Sequence, residues 1–369
     1  MQYNLRNSLL TSLEISKKSG FKKPASWPDI RKSTVPNSIR LLADTRYPFG
    51  FIATVTGGYS VDIDGEHYGD YNSSAQFSMA DWTDYTDTDG YSISYPDGAT
   101  KAHIIDIYPQ ASGAEITAFH CSRVAESGTE QQGILWEHFN ITNAINISTL
   151  NAVGNYGSQD YKNTLLTACT AKNNLLKVTG DLYCSFFLCE ELEYLPVIDG
   201  NNNKVDLGYF GFSDCKTIKK INIKNLTFDD GSYAFNNCTS LEELPKRINY
   251  ASAKYMGNYL TNATSLKDAI LDVRTSTGLK AIGCNGDASH VMTGFKGLRV
   301  SNQAPFDSWT PQINVSYTGM TRQAIVTLFN DLPTVTDGQI INITGCTGSE
   351  DLTEDDKTIA TSKGWTIAE

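Results

Sequence analysis

The sequence predicts a mainly β protein: a short N-terminal arm, a small antiparallel β-sandwich, then a solenoid of stacked repeats closed by a helix-and-strand cap. Three observations carry this. One phrase recurs four times between residues 185 and 270. Six segments between 38 and 124 alternate apolar and polar residues at period two. The composition is low in charge (19%) and rich in Gly, Ser, Thr and Asn, with 19 Tyr, which suits β-rich extracellular or virion-type structure.

Residues 1–33 read as an arm. Leu5, Leu9, Leu10, Leu13 and Ile15 have the spacing of one short amphipathic helix. Lys17, Lys18, Lys22, Lys23, Arg31 and Lys32 make the arm basic on a chain of net charge −11. KKPASWPDIRK is broken by proline and reads as extended. Such a segment has no core of its own. It is expected to order on another subunit, with Leu9, Leu13 and Trp27 as the docking side chains.

Residues 34–135 read as the sandwich. The strands are SIRLLADT, GFIATVTGG, YSVDIDGEHYG, GYSISYP, AHIIDIYP and EITAFHCSRV. Turn signals separate them at Gly57-Gly58, Asp64-Gly65, Asp89-Gly90, Asp97-Gly98 and Ser112-Gly113. ILWEHFNITNAINISTL then leads toward the repeats, with Ile141, Ile145 and Ile147 flanking Asn turns.

Residues 136–350 read as the solenoid. SFFLCEELEYLP, FGFSDCKTIKKI, YAFNNCTSLEELP and NYLTNATSLKDAI align in three columns: Phe186, Phe212, Phe235, Leu260; Cys189, Cys215, Cys238, Ala263; and Leu192, Ile218, Leu241, Leu266. Each column steps by 26, 23 and 25 residues. That period makes the solenoid leucine-rich-repeat-like. One such unit cannot bury its apolar face alone, so the units must stack. Cys fits the column as a small buried side chain, and Asn236-Asn237 fits the tight turn beside it.

Residues 351–369 read as the cap. TRQAIVTLFNDLP has helical spacing and QIINITG reads as a strand. Thr353 is an N-cap with Asp356 three residues on, Gly364 is the C-terminal stop, and WTIAE supplies a last strand. An open solenoid needs such a unit over its terminal apolar face.

Resemblances follow from these motifs. The "aF-x-x-C-x-S-L" unit over about 160–300 resembles the BspA-type leucine-rich repeats of surface proteins. YSVDIDG and ISYPDGATKAHIIDIYP resemble PKD-like immunoglobulin-type domains of phage tail proteins, although the tryptophan of their V-D-W-G-D-G loop is absent here. The ending G-x-x-G…D-x-x-I-A-x-x-K-G-W-T-I resembles that of repeat proteins in bacteriophage tails and fibres. Together they imply a phage virion structural protein of the tail, baseplate or fibre, assembled in the host cytoplasm. Its N-terminal part would attach it to other virion proteins. Its repeats would contact a host-surface glycan or protein, or a neighbouring subunit, as a homo-oligomer in a symmetric assembly. The alternative is a BspA-type adhesin on a bacterial cell surface; a tail-associated glycan hydrolase is a third reading. MQYNLRNSLLTSLEISKK lacks the marks of a secretory signal, which favours the virion reading.

Little in the sequence points to chemistry. No nucleotide, zincin or serine-hydrolase motif is present, and the five histidines are scattered. No cofactor and no metal are expected. The acidic bulk argues against nucleic acid, and no apolar run approaches the ~18 residues of a membrane span. The cysteines are expected to be reduced core residues. Asp84, Asp87 and Asp89 lie in an acidic loop that misses the calcium-loop spacing, so a solvated tip is expected. Glu190, Glu191, Glu242 and Glu243 are the carboxylates a hydrolase would use, and solvated turns explain them as well. The surface expected to bind is aromatic: Tyr183, Tyr209, Tyr233, Tyr255 and Tyr259 recur through the repeats beside Asn and Asp.

Overall fold

The computed structural model describes residues 21–33, 35–44, 46–79, 90–95, 98–121, 133–147, 165–201, 205, 207, 210–301, 306, 310–336 and 338–369. Leu9, Leu13, Tyr209 and the acidic loop with Asp84, Asp87 and Asp89 lie outside these residues. The described residues are mainly β, with two α-helices, both in the C-terminal part. Neither helix is long and apolar enough to cross a membrane.

The front strands are β1 (Ser38–Asp44), β2 (Phe49–Val55), β3 (Tyr59–Ile63), β4 (Glu66–Tyr71), β5 (Gln76–Met79), β6 (Tyr91–Tyr95), β7 (Gly98–Pro109), β8 (Ile116–Cys121) and β9 (Ile134–Asn140). They form two sheets. One runs β9-β1-β7-β3-β4, with β6 on the near half of β7; the other runs β5-β2-β8. All these pairings are antiparallel. The sheets face one another through period-two rows: Ile39, Leu41, Val61, Ile105 and Ile107 on one, Phe51, Phe77 and Phe119 on the other. Phe51 lies 6.0 Å from Tyr59 of the facing sheet, and Phe119 lies 5.9 Å from Phe139. At the β2–β3 turn Gly58 takes φ +95, and a Cβ there would meet the Tyr71 carbonyl oxygen at 2.6 Å. Glycine is therefore required.

The outer face of the larger sheet is also buried. Leu42, Ile104, Leu135 and Trp136 form a second cluster, and Trp27 and Ile30 lie in it. Trp27 is only 6% exposed and Ile30 is 0% exposed. This corrects the expectation that Trp27 docks on another subunit. Strand β1 is buried at six of its seven positions, so both faces need cover, and the chain's own residues 21–32 supply it. Phe21 packs edge-on against Trp136 at 4.9 Å, and the Arg31 guanidinium sits 5.7 Å from the Trp136 ring centre. Residues 21–32 thus form a strap.

The repeats grow directly from the front sheet. Strand β10 (Ala168–Ala171) pairs with β9 in parallel, so β9, which runs through the 135/136 join drawn from the sequence, belongs to both. Parallel bridges at Ala118–Asn146 and Ile145–Val178 stitch the same join. Next come β11 (Leu175–Lys177), β12 (Val197–Asp199), β13 (Asn222–Thr227) and β14 (Lys246–Asn249), one parallel sheet. Then β15 (Tyr255–Met256), β16 (Ala269–Asp272), β17 (Ala281–Gly283), β18 (Phe295–Arg299), β19 (Ile313–Asn314), β20 (Ile340–Asn342) and β21 (Thr366–Ala368) continue as a β15-β17-β19-β20-β21 sheet and a β16-β18 pair, parallel throughout. The arrangement is a β-solenoid-like stack whose core is continuous with that between the front sheets.

The stack ends in helices Arg322–Asp331 and Glu354–Thr361. Thr353 and Asp356 form the reciprocal capping box read from the sequence, and Gly364 takes φ +88. Arg322 grips Asp356 at 2.8 and 3.0 Å, tying the two helices. Lys363 donates to the carbonyls of Phe329, Asn330 and Leu332, which end the first helix.

Candidate functional site

The repeated phrase forms one corner of each turn, and successive corners hydrogen-bond to one another. The Phe186 N–H donates to the Gly211 carbonyl, Phe212 to Ala234 and Phe235 to Tyr259, at 2.9, 2.9 and 3.0 Å. Phe186, Phe212 and Phe235 stack inside at 5.4 and 5.5 Å, with their ring planes nearly parallel. The cysteines do more than fill space. The Cys215 thiol donates to the Phe186 carbonyl and the Cys238 thiol to the Phe212 carbonyl, both at 3.1 Å. Burial pushes the thiols of Cys189, Cys215 and Cys238 up, which favours the protonated form that donates these bonds.

Two residues per corner are left-handed, one two places before and one two places after the Phe or Leu of the first column. They are Cys184 and Leu188, Phe210 and Asp214, Tyr233 and Asn237, and Asn258 and Asn262, with φ between +50 and +64. Asn and Asp suit this backbone. They also join side chains: Asn237 Nδ2 donates to Asp214 Oδ1, and Asn262 Nδ2 to Asn237 Oδ1, both at 3.0 Å. Phe210 and Tyr233 do not suit it. Large aromatic residues are uncommon at positive φ, and strained backbone tends to gather at functional positions.

These two residues make a half-buried aromatic ladder on the outside of the corner. Phe187 to Phe210 and Phe210 to Tyr233 are each 4.9 Å between ring centres. The Asp214–Asn237–Asn262 ladder runs beside it. The strip is thus a ridge of aromatic rings next to a rail of amide and carboxylate groups. Its rings are tilted to one another, by 41° and 30°, and do not stack face to face.

The structure places the expected tyrosines unequally. Tyr233 lies on the strip, and Tyr183 is half-buried at the first corner. Tyr255 is half-buried in β15, away from the ladder pairs. Tyr259 is a correction: it is 0% exposed, packed between Phe228 and Phe235, with its hydroxyl 3.4 Å from that of Tyr250. It occupies the column position just before Leu260, where the side chain turns inward. Phe210 is among the aromatics that recur through the repeats in the sequence, whereas Phe187 was missed; the doublet Phe186-Phe187 was the available signal.

Glu190, Glu242 and Glu243 are each paired with a lysine of a neighbouring turn. Glu190 meets Lys216 at 3.0 Å, Glu242 meets Lys267 at 2.6 Å, and Glu243 meets Lys246 at 2.7 Å and Lys220 at 3.5 Å. The Lys267 hydrogen bond holds the Glu242 carboxyl below its usual range, and the Lys246 hydrogen bond does the same for Glu243. A glycosidase acid needs the opposite shift. One column, Glu193, Lys219, Glu242, Lys267, changes sign at every turn. Comparison of the chain with family models, with curated proteins and with solved structures finds no match.

Proposed function

We propose that the chain is a structural protein of a phage virion, in the tail, baseplate or a fibre, whose repeats recognise a host surface or a neighbouring subunit. The observation that carries the recognition step is the corner strip Phe187–Phe210–Tyr233 beside Asp214–Asn237–Asn262. It repeats with the stack and is partly exposed. It also holds aromatic residues in a backbone conformation they ordinarily avoid. Aromatic rings beside amides are a common recognition surface, because each offers apolar contact and hydrogen bonding at low entropic cost. The virion step rests on sequence resemblances: of the repeats to BspA-type units, of YSVDIDG and ISYPDGATKAHIIDIYP within 34–135 to PKD-like domains, and of the ending to phage fibre proteins. Since Trp27 is used within the chain, attachment to the particle falls to the part of the arm ahead of residue 21, with Leu9 and Leu13.

Two measurements test this. Antibody raised to the chain should label purified virions of a phage that encodes it. Tyr233→Ser should keep the fold and weaken binding of the isolated protein to host cells or to its virion partner. Unlabelled virions would remove the virion step; unchanged binding by the variant would remove the strip.

A further inference from the structure

A cleft of about 350 Å³ lies where the last turns of the stack meet the first C-terminal helix, lined by Arg274, Thr277, Arg299, Ser301, Asn330 and Asp331. Its two arginines are held alike. Arg274 follows β16 and gives its Nε and Nη2 edge to Asp272, at 2.9 and 2.5 Å. Arg299 ends β18 and gives the same edge to Asp331, at 2.9 Å from Nη2 and closer still from Nε. Asp272 and Arg299 are register partners on β16 and β18, which brings the two arginines to one rim. Neither Nη1 group makes a hydrogen bond among the described residues. Each guanidinium is therefore anchored by one edge and presents the other, with its orientation already fixed.

An anchored pair of guanidiniums suits a planar anion such as a carboxylate. Beside the two ion pairs the lining is Val300 and uncharged polar groups, among them the exposed Thr277 hydroxyl, and Asn330, whose Nδ2 is used by Val326 O and whose Oδ1 is left to accept. The volume is at the small end of ligand pockets, enough for about one ring. Asp272 and Asp331 balance the arginines, so a bare multivalent anion gains little from net charge here. The fit depends on the fork geometry and on hydroxyl partners.

We propose that this cleft binds a single acidic sugar unit, its carboxylate on the Nη1 edges of Arg274 and Arg299 and its hydroxyls on Thr277 and Asn330. The proposal stands apart from the corner strip and does not require the chain to be a virion protein.

Titration of the full chain with glucuronic acid, glucose and inorganic phosphate, followed by ligand-observed NMR at low and physiological salt, tests it. Glucuronic acid should bind saturably and glucose should not. Arg274→Gln should weaken glucuronic acid about tenfold. The melting temperature should hold, because Arg274 is half-exposed and only its surface pair with Asp272 is lost. Arg299→Lys, which keeps the charge and loses the fork, should weaken binding too. Phosphate binding as tightly as glucuronic acid would mark a bare anion site and overturn the sugar assignment. Unchanged binding by Arg274→Gln, or equal binding of glucose, would overturn the site.

Discussion

Trp27→Ala removes the largest side chain of the strap from the cluster it shares with Ile30, Leu42, Ile104 and Trp136. At 6% exposure, nearly all of its surface is out of water. A buried tryptophan hides about 150–250 Å². At about 25 cal/mol per Å² that is about 4–6 kcal/mol, an upper bound because unfolded chains are not fully extended. Trp→Ala substitutions in cores cost about 3–5 kcal/mol. The strap is near a chain end, though, and has an easier route than global unfolding. It can peel away once its docking energy falls near zero, so the loss in global stability is limited to what the docked strap contributes. The expected signature is therefore local. Amides of 27, of 29–32 and of β9 should lose roughly 10²–10³-fold protection in hydrogen exchange, since each tenfold corresponds to about 1.4 kcal/mol. Amides of β13 and β14 should not change. Strap protection equal to wild type would refute the intrachain role of Trp27. Equal loss in β13 and β14 would refute the strap as a separable element.

Cys238→Ala should cost about 1–2 kcal/mol, from the lost thiol hydrogen bond to Phe212 and the small cavity. Cys238→Ser keeps a donor at that place and should cost less than alanine; urea midpoints decide, and a serine variant weaker than alanine would show that the site wants an apolar filler and not a donor. His120 and His138 are buried, and burial pushes each down to about 4. An unfolded histidine titrates near ~6.5. Between these values the unfolded chain binds more protons, so stability is full above about pH 6.5 and falls as pH drops toward 4, by up to about 3 kcal/mol per histidine. Asp356, lowered to about 2 chiefly by its Arg322 hydrogen bond, adds a loss only below about pH 4. A urea midpoint that does not move between pH 7 and 4.5 would contradict the histidine account.

What the sequence made legible was whatever repeats or acts locally. The Phe, Cys and Leu columns are buried as their spacing required, because a side chain that recurs in a stack recurs on one side of it. Thr353 and Asp356 were readable because a capping box closes within four residues. Tyr259 was misplaced because it and its neighbour Leu260 are both buried, and a tyrosine in the sequence does not say whether its ring faces in or out. The role of Trp27 was hidden for a different reason. Its partners Leu42, Ile104 and Trp136 are long-range, and a proline-broken segment gives no periodicity to show what it covers. Strand β5 is four residues long and several solenoid strands are two or three, too short for any period to register. The Arg274–Arg299 cleft depends on β16 lying beside β18, which no local pattern states.

The sign-changing column Glu193, Lys219, Glu242, Lys267 restricts how such a chain can lengthen or shorten. Glu242 lies between Lys219 and Lys267, and both lower its carboxyl. Excising or duplicating a single turn would set like charges on adjacent corners. Each exposed contact is worth only about 0.2–1 kcal/mol, but the penalty falls where an attraction had been. Excising or duplicating two turns leaves every neighbour with its opposite. In this part of the stack the alternation is therefore kept only by changes of a pair of turns, twice the 23–26-residue period of the columns.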